Sequence, residues 1–100
     1  MSDRIYTIDE IKHIVAPIAA RYGIARVFLF GSYARGEATA ASDLDFRIDK
    51  GQLRGLFALG GLHCDLQESF DKPLDLLTTG SLEAAFLKRI EQEEILIYES

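Results

Sequence analysis

Asp43 and Asp45 stand one residue apart in the stretch SDLDFRID, and a third carboxylate, Asp75, sits between Leu74 and Leu76 in PLDLLT. On a strand, side chains at i and i+2 project from one face, so Asp43 and Asp45 come close together. Two carboxylates at that spacing repel and raise one pKa unless a cation lies between them. Such oxygen ligands suit Mg²⁺, which binds through one or two carboxylates plus substrate phosphates. The wet side of an ordinary half-buried strand has the same alternation, so the pair alone leaves both readings open. Asp75 bears on the choice, because an unpaired charge inside an apolar run is expensive. If its strand lies beside residues 43–49, three carboxylates can hold two metals ~3.5–4 Å apart, the clamp of in-line phosphoryl or nucleotidyl displacement. Asp75 can then also act as general base on an attacking hydroxyl. The alternative for Asp75 is an edge-strand residue wetted by solvent.

Gly31-Ser32 follows the apolar run IARVFLF. A strand that leads into Gly-Ser and then a helix points backbone amides and the positive end of the helix dipole at an anion. Gly31 lets a phosphate approach the backbone, and the Ser32 hydroxyl adds one donor. Gly-Ser after a strand is also a common turn, and by itself it carries either meaning.

The elements that must position these residues are legible in the periodicity. Thr7-Ile8-Asp9-Glu10 is a capping box with Tyr6 and Ile11 placed for a hydrophobic staple. Ile8, Ile11, Ile14, Val15, Ile18, Ala19 and Tyr22 then mark one face of a helix, with Gly23 at its C-terminus and a bend expected at Pro17. Residues 24–30 read as a buried strand, 32–36 as a short helix, and 37–42 as a loop. Residues 43–49 alternate strictly, Leu44, Phe46 and Ile48 facing one way and Asp43, Asp45, Arg47 and Asp49 the other. A weak helix over 52–58 is expected to break at Gly60-Gly61 before a second helix over 62–70. A short strand follows Pro73, Ser81 is placed to cap a helix over 82–92 with Glu83 in its first turn, and ILIY forms a last strand. The fold class expected is α/β (α+β): a small mixed sheet with helices packed on it.

Composition narrows the function. The chain has 100 residues, enough for one domain spanning 1–100 with a modest core. Disorder is expected at the first few residues and the last two. A formal net charge of −5 opposes direct binding of nucleic acid, which depends on Lys and Arg neutralising phosphates. A single cysteine, Cys64, excludes an internal disulfide and reads as a small core residue. His63 beside it has no further ligand to complete a metal site, and His13 falls on the polar side of its helix. The Glu91, Glu93 and Glu94 cluster reads as solvated surface. No signal peptide or membrane-length apolar run is evident, so a soluble cytoplasmic protein is expected.

Taken together, G31-S32-Y33-A34-R35-G36 followed by S42-D43-L44-D45 closely resembles the GSxARG…SDxD signature of the minimal nucleotidyltransferases, members of the DNA-polymerase-β-like superfamily. The resemblance covers essentially the whole chain, and the double motif with its gap is far more specific than either half. It implies that Gly31 and Ser32 hold a nucleotide triphosphate and that Asp43, Asp45 and Asp75 are catalytic and bind Mg²⁺, with two ions expected. Ser42 is expected to cap the turn that aims Asp43, and Arg35 either clamps a phosphate or braces the loop. Arg47 departs from the pattern, which more often has an apolar residue there; an ion pair with Asp49 or Glu37 is the reading preferred over a phosphate contact. In the family resembled, such small proteins are typically antitoxins that neutralise a HEPN-domain RNase toxin by adenylylating a tyrosine. The implied activity is therefore AMP transfer from ATP to a hydroxyl of such a partner. The alternatives are an antitoxin that inhibits by binding alone, and nucleotidyl transfer to a small molecule.

Overall fold

The computed structural model describes residues 4–100; the expectation of disorder at the first few residues falls on 1–3, outside the described residues. Helix α1 spans Ile8–Arg21, with Thr7 as N-cap and a complete capping box to Glu10. The Glu10 amide donates to Thr7 Oγ1 at 3.1 Å, and the Thr7 amide donates to Glu10 Oε1 at 2.9 Å. Tyr6 and Ile11, the staple pair, are both buried in the main core. The helix runs unbroken through Pro17, and Gly23 ends it at φ +69°.

Strands β1 (Arg26–Phe30), β2 (Leu44–Asp49), β3 (Leu74–Thr78) and β4 (Ile95–Glu99) form one sheet in the order β3-β2-β1-β4. β1 pairs antiparallel with both β2 and β4, whereas β2 and β3 are parallel. A parallel pair needs a crossover, which helix α2 (Gly55–Ser69) supplies. Alternation along the strands divides the sheet into two faces. Val27, Leu29, Leu44, Phe46 and Ile48 turn one way into a core shared with Ile11, Val15 and Ile18 of α1 and Leu62 and Leu66 of α2. Phe30, Asp45, Arg47 and Asp75 turn the other way. There helix α3 (Ala84–Glu91) brings Phe86 edge-on to Phe30, ring centroids 6.3 Å apart. The mixed sheet with helices packed on it is the expected fold class.

Several local expectations are corrected. Residues 32–36 make a single tight turn, not a helix, closed by the Glu37 amide donating to the Ser32 carbonyl at 2.9 Å. Gly60-Gly61 does not break α2: interior glycine costs ~1 kcal/mol per residue, but burial of Leu62 and Leu66 holds the helix, and Gly61 leaves room for the Tyr22 hydroxyl. That hydroxyl donates to Asp65 at 2.7 Å, locking α2 onto α1. Ser81 does not cap α3; it lies in a 3₁₀ turn (Thr79–Ser81) and donates to the Thr78 carbonyl at 2.8 Å, while Glu83 holds the N-cap position. Cys64 is exposed, because α2 turns Leu62 and Leu66 inward and Cys64, two residues from each, falls on the opposite side of the helix. The last two residues are ordered by pairing: Glu99 ends β4 and the Ser100 amide donates to the Ala25 carbonyl at 2.9 Å. Among the described residues, no helix is long and apolar enough to cross a membrane.

Candidate active site

The parallel register of β2 and β3 sets Asp45 directly opposite Asp75. Both side chains leave the face away from the main core, and the Asp75 carboxylate acts directly on that of Asp45. β3 is an edge strand, so Asp75 itself is exposed, not enclosed among its leucine neighbours; solvent wets it, yet it still faces Asp45. Asp43 is exposed just ahead of β2, and its charge also acts on Asp45. Burial first, then the Asp75 and Asp43 charges, push the Asp45 carboxyl up to about 6. Among the described residues no three His, Cys, Asp or Glu side chains converge as a preassembled metal cage. The acidic set is a close pair with a flanking third, less compact than the three-carboxylate cluster expected. Its chemistry fits a hard divalent cation: the donors are all carboxylate oxygens, and their repulsion is what a cation relieves.

Gly31 closes the site from β1. Its φ is +77°, and a Cβ built on it would overlap Asp45 Oδ2, so the carboxylate occupies the space that any side chain would take. Beyond it, the Ser32, Tyr33 and Ala34 amides donate to no backbone carbonyl among the described residues. The turn thus leaves these three amides without such partners although the expected helix does not form. Tyr33, the variable residue of the motif, is buried in the main core and anchors that turn. Ser42 Oγ accepts the Thr39 amide at 2.8 Å and closes the turn ahead of Asp43. Arg35 here braces the loop: Nε donates to Glu37 Oε1 at 2.8 Å and Nη1 to Glu93 Oε2 at 3.1 Å.

One positioning residue carried no clear signal in the sequence. Lys72 is 3% exposed, and its Nζ donates to the Ala40 carbonyl at 2.6 Å, pinning the 37–42 loop to the segment that enters β3. Only its neighbour Pro73 marked that segment. Arg47 lies on the carboxylate face and forms the expected ion pair with Asp49, but its closer partner is Glu94, which was not foreseen. Its guanidinium engages both oxygens of Glu94, with Nε to Oε2 at 3.0 Å. It also donates to Thr79 Oγ1 at 2.8 Å and covers the Phe28 ring at 4.2 Å, with Asp49 at 3.5 Å. Glu94 is therefore not solvated surface: its side chain is 9% exposed and that of Arg47 6%. This cluster ties β2 to the turn after β3 and to the start of β4, holding the carboxylate strands in register. Glu94→Ala leaves a buried arginine short of its main partner and is expected to lower stability by about 3 kcal/mol, the lower end for breaking such a pair because Thr79 and Asp49 remain. Arg47→Met with Glu94→Leu should recover most of that loss, as urea unfolding of the two proteins will show.

The Asp45 shift sets a pH signature. Its folded pKa lies above the unfolded value, so the native state binds the extra proton between about pH 4 and about pH 6. Without divalent cation, the Asp45 contribution to stability is complete below pH ~4 and lost as pH rises through about 6. Mg²⁺ held by these carboxylates would favour the anion, so the gain in melting temperature on adding Mg²⁺ should be small at pH 5 and larger at pH 7.5. A gain independent of pH would show that Asp45 is not the group concerned.

Strand-borne paired carboxylates, abutting a glycine turn on a small mixed sheet, form the candidate site, and the fold and sequence place the chain among nucleotidyltransferases. The chain belongs to the polymerase β nucleotidyltransferase family, whose model, described as "Polymerase beta, Nucleotidyltransferase", matches residues 12–100. Among its relatives, a Methanocaldococcus jannaschii protein provisionally named a protein adenylyltransferase is 36% identical over 88 residues, 88% of this chain and 95% of that protein. A solved structure provisionally named a minimal nucleotidyltransferase superposes with TM-score 0.77 at 28% identity, over 90% of this chain and 95% of its own. The MNT antitoxin fold also matches: a complex described as a tri-AMPylated Shewanella oneidensis HEPN toxin with MNT antitoxin gives TM-score 0.71 at 14% identity, over 94% of this chain and 74% of that one.

Proposed function

We propose that this nucleotidyltransferase moves AMP from ATP to a hydroxyl of a partner protein, a tyrosine of a HEPN-domain RNase toxin, and thereby acts as its antitoxin in the cytoplasm. The observation that carries the reading is the Asp45–Asp75 pair packed against Gly31. It puts paired acid groups and free turn amides at one place, as transfer of a phosphate-linked group requires. The relatives' names and the HEPN complex support the protein acceptor.

In this reading Gly31, Ser32 and Arg35 hold the triphosphate, with Ser42 fixing the turn between them and the carboxylates. Asp43, Asp45 and Asp75 would hold Mg²⁺, two ions in the full site, which supplies charge neutralisation when bound. The acceptor oxygen attacks the α-phosphorus, the bond from that phosphorus to the bridging oxygen breaks, and pyrophosphate leaves with the electron pair. Asp75, exposed at the sheet edge, receives the hydroxyl proton as the new bond forms. A protein acceptor has apolar surface to meet nearby: Leu56 and Phe57, at the start of α2, are 85% and 99% exposed. Leu56 lines the same edge cavity as Asp75.

Incubation with the neighbouring-gene protein, Mg²⁺ and ATP, followed by intact-mass spectrometry, tests the reading. Added AMP mass that disappears with EDTA supports it. Tight complex formation without added mass leaves inhibition by binding alone, and AMP appearing only on small hydroxylated molecules leaves the third activity.

A further inference from the structure

Between the Gly31 turn and α3 lies a second cavity of about 300 Å³, lined by Gly31, Arg35, Phe86, Arg89 and Glu93 among others. Gly31 is common to this cavity and to the carboxylate site, since Asp45 Oδ2 abuts its backbone. A chain of phosphates that begins at the carboxylates and passes over Gly31 therefore has this cavity next along its path. Its charges are distinctive. Arg4, Arg21, Arg26, Arg35 and Arg47 all have carboxylate partners, and Arg54 donates to backbone carbonyls. Arg89 is the one arginine among the described residues that the structure leaves with neither, although the protein carries an excess of acid groups. Arg35, opposite it, is held by Glu37 and Glu93, and Glu93 is itself in the cavity wall. An arginine fork matched to phosphate is open, and a second one is occupied by carboxylates that a phosphate would replace with equal or better geometry.

Resting on the nucleotidyltransferase reading above, we infer that this cavity takes the terminal phosphates of the nucleoside triphosphate, with Arg89 as a binding residue and Glu93 as the carboxylate that holds Arg35 until phosphate displaces it. The apolar part of the wall, Phe86 with Phe30, fixes α3 against β1 and so sets the position of Arg89. Arg89 adds affinity for a triphosphate and little for a monophosphate. Glu93 opposes triphosphate binding through the pairing that must be broken.

Titration calorimetry with AMP-PNP and with AMP, both with Mg²⁺, tests this on the full chain and three variants. Arg89 is exposed and Glu93 half-exposed, so the variants should keep the wild-type circular-dichroism melt. Arg89→Ala is expected to weaken AMP-PNP about 10-fold, the scale of one lost charge-assisted contact, and AMP less than about 2-fold. Arg89→Lys should fall between wild type and alanine, and Glu93→Gln should bind AMP-PNP several-fold more tightly. Wild-type AMP-PNP affinity in Arg89→Ala, an equal loss for AMP, or weaker AMP-PNP binding by Glu93→Gln would overturn the inference while leaving the enzyme reading intact. A wild-type protein that binds neither nucleotide overturns that reading itself.

Discussion

Asp45→Asn should lower nucleotidyl transfer by about 10³-fold, the scale of removing one preorganised electrostatic group, and at the same time make the metal-free protein more stable. The two effects have one cause. Asp45 is pushed up to about 6 because burial and the Asp75 and Asp43 charges oppose its ionised form. Asparagine keeps the shape and removes the charge, so the repulsion with Asp75 disappears. After allowance for solvent screening of a partly exposed group, the gain is about 1 kcal/mol near pH 7, or roughly 4–8 °C in melting temperature for a domain of this size. Mg²⁺ should then raise the melting temperature of the wild type and leave that of the variant almost unchanged. Scanning calorimetry with and without Mg²⁺, beside a transfer assay, reads all of these. A variant that loses both activity and stability would show that Asp45 is a structural carboxylate. One that keeps the wild-type rate would remove it from the site.

Gly31→Ala should abolish transfer and destabilise the fold, whereas Gly36→Ala should only destabilise it. Both glycines have positive φ, +77° and +73°, where an L-residue costs roughly 1–2 kcal/mol. They differ in what a side chain would meet. At Gly36 nothing lies within 4 Å, so alanine incurs the backbone term alone. At Gly31 the new methyl overlaps Asp45 Oδ2 and stands 3.2 Å from its Cγ, so the carboxylate must turn away from Asp75 or the turn must open. Chemical denaturation should give a larger loss for Gly31→Ala, which adds the overlap with Asp45 to the backbone term, with activity retained only for Gly36→Ala. Equal retention of activity in both would mean that the approach of Gly31 to Asp45 has no catalytic consequence.

Much of this molecule is legible before any coordinates. The capping box at Thr7–Glu10, the apolar stripe of α1 and the alternation of Leu44, Phe46 and Ile48 are short-range patterns, and local backbone geometry converts them directly into helix, strand and buried face. Where local preference and tertiary packing disagreed, the sequence misled. Gly60-Gly61 reads as a break, but the core needs Leu62 and Leu66 on one continuous helix. Residues 32–36 read as a helix, but burial of Tyr33 draws the turn tight against the core. Cys64 reads as core and is exposed, because helix phase, not residue type, decides which side faces inward.

The sequence by itself determined which chemical groups the candidate site has: Gly31-Ser32, the Asp43/Asp45 pair and Asp75, with spacing that puts the first two carboxylates on one strand face. Only the tertiary structure decided how they meet. The parallel register of β2 and β3 brings Asp75 opposite Asp45, 30 positions further along the chain, and no local pattern encodes that pairing. It likewise gave Arg47 its partner. Seen in the chain, Arg47 is a charge two residues from Asp45; in the fold it is buried against Glu94, 47 residues away. Strand alternation and helix periodicity extend over a few residues, so they specify faces. Strand register and buried ion pairs depend on which distant segments exclude water together, and that is settled only when the whole chain packs.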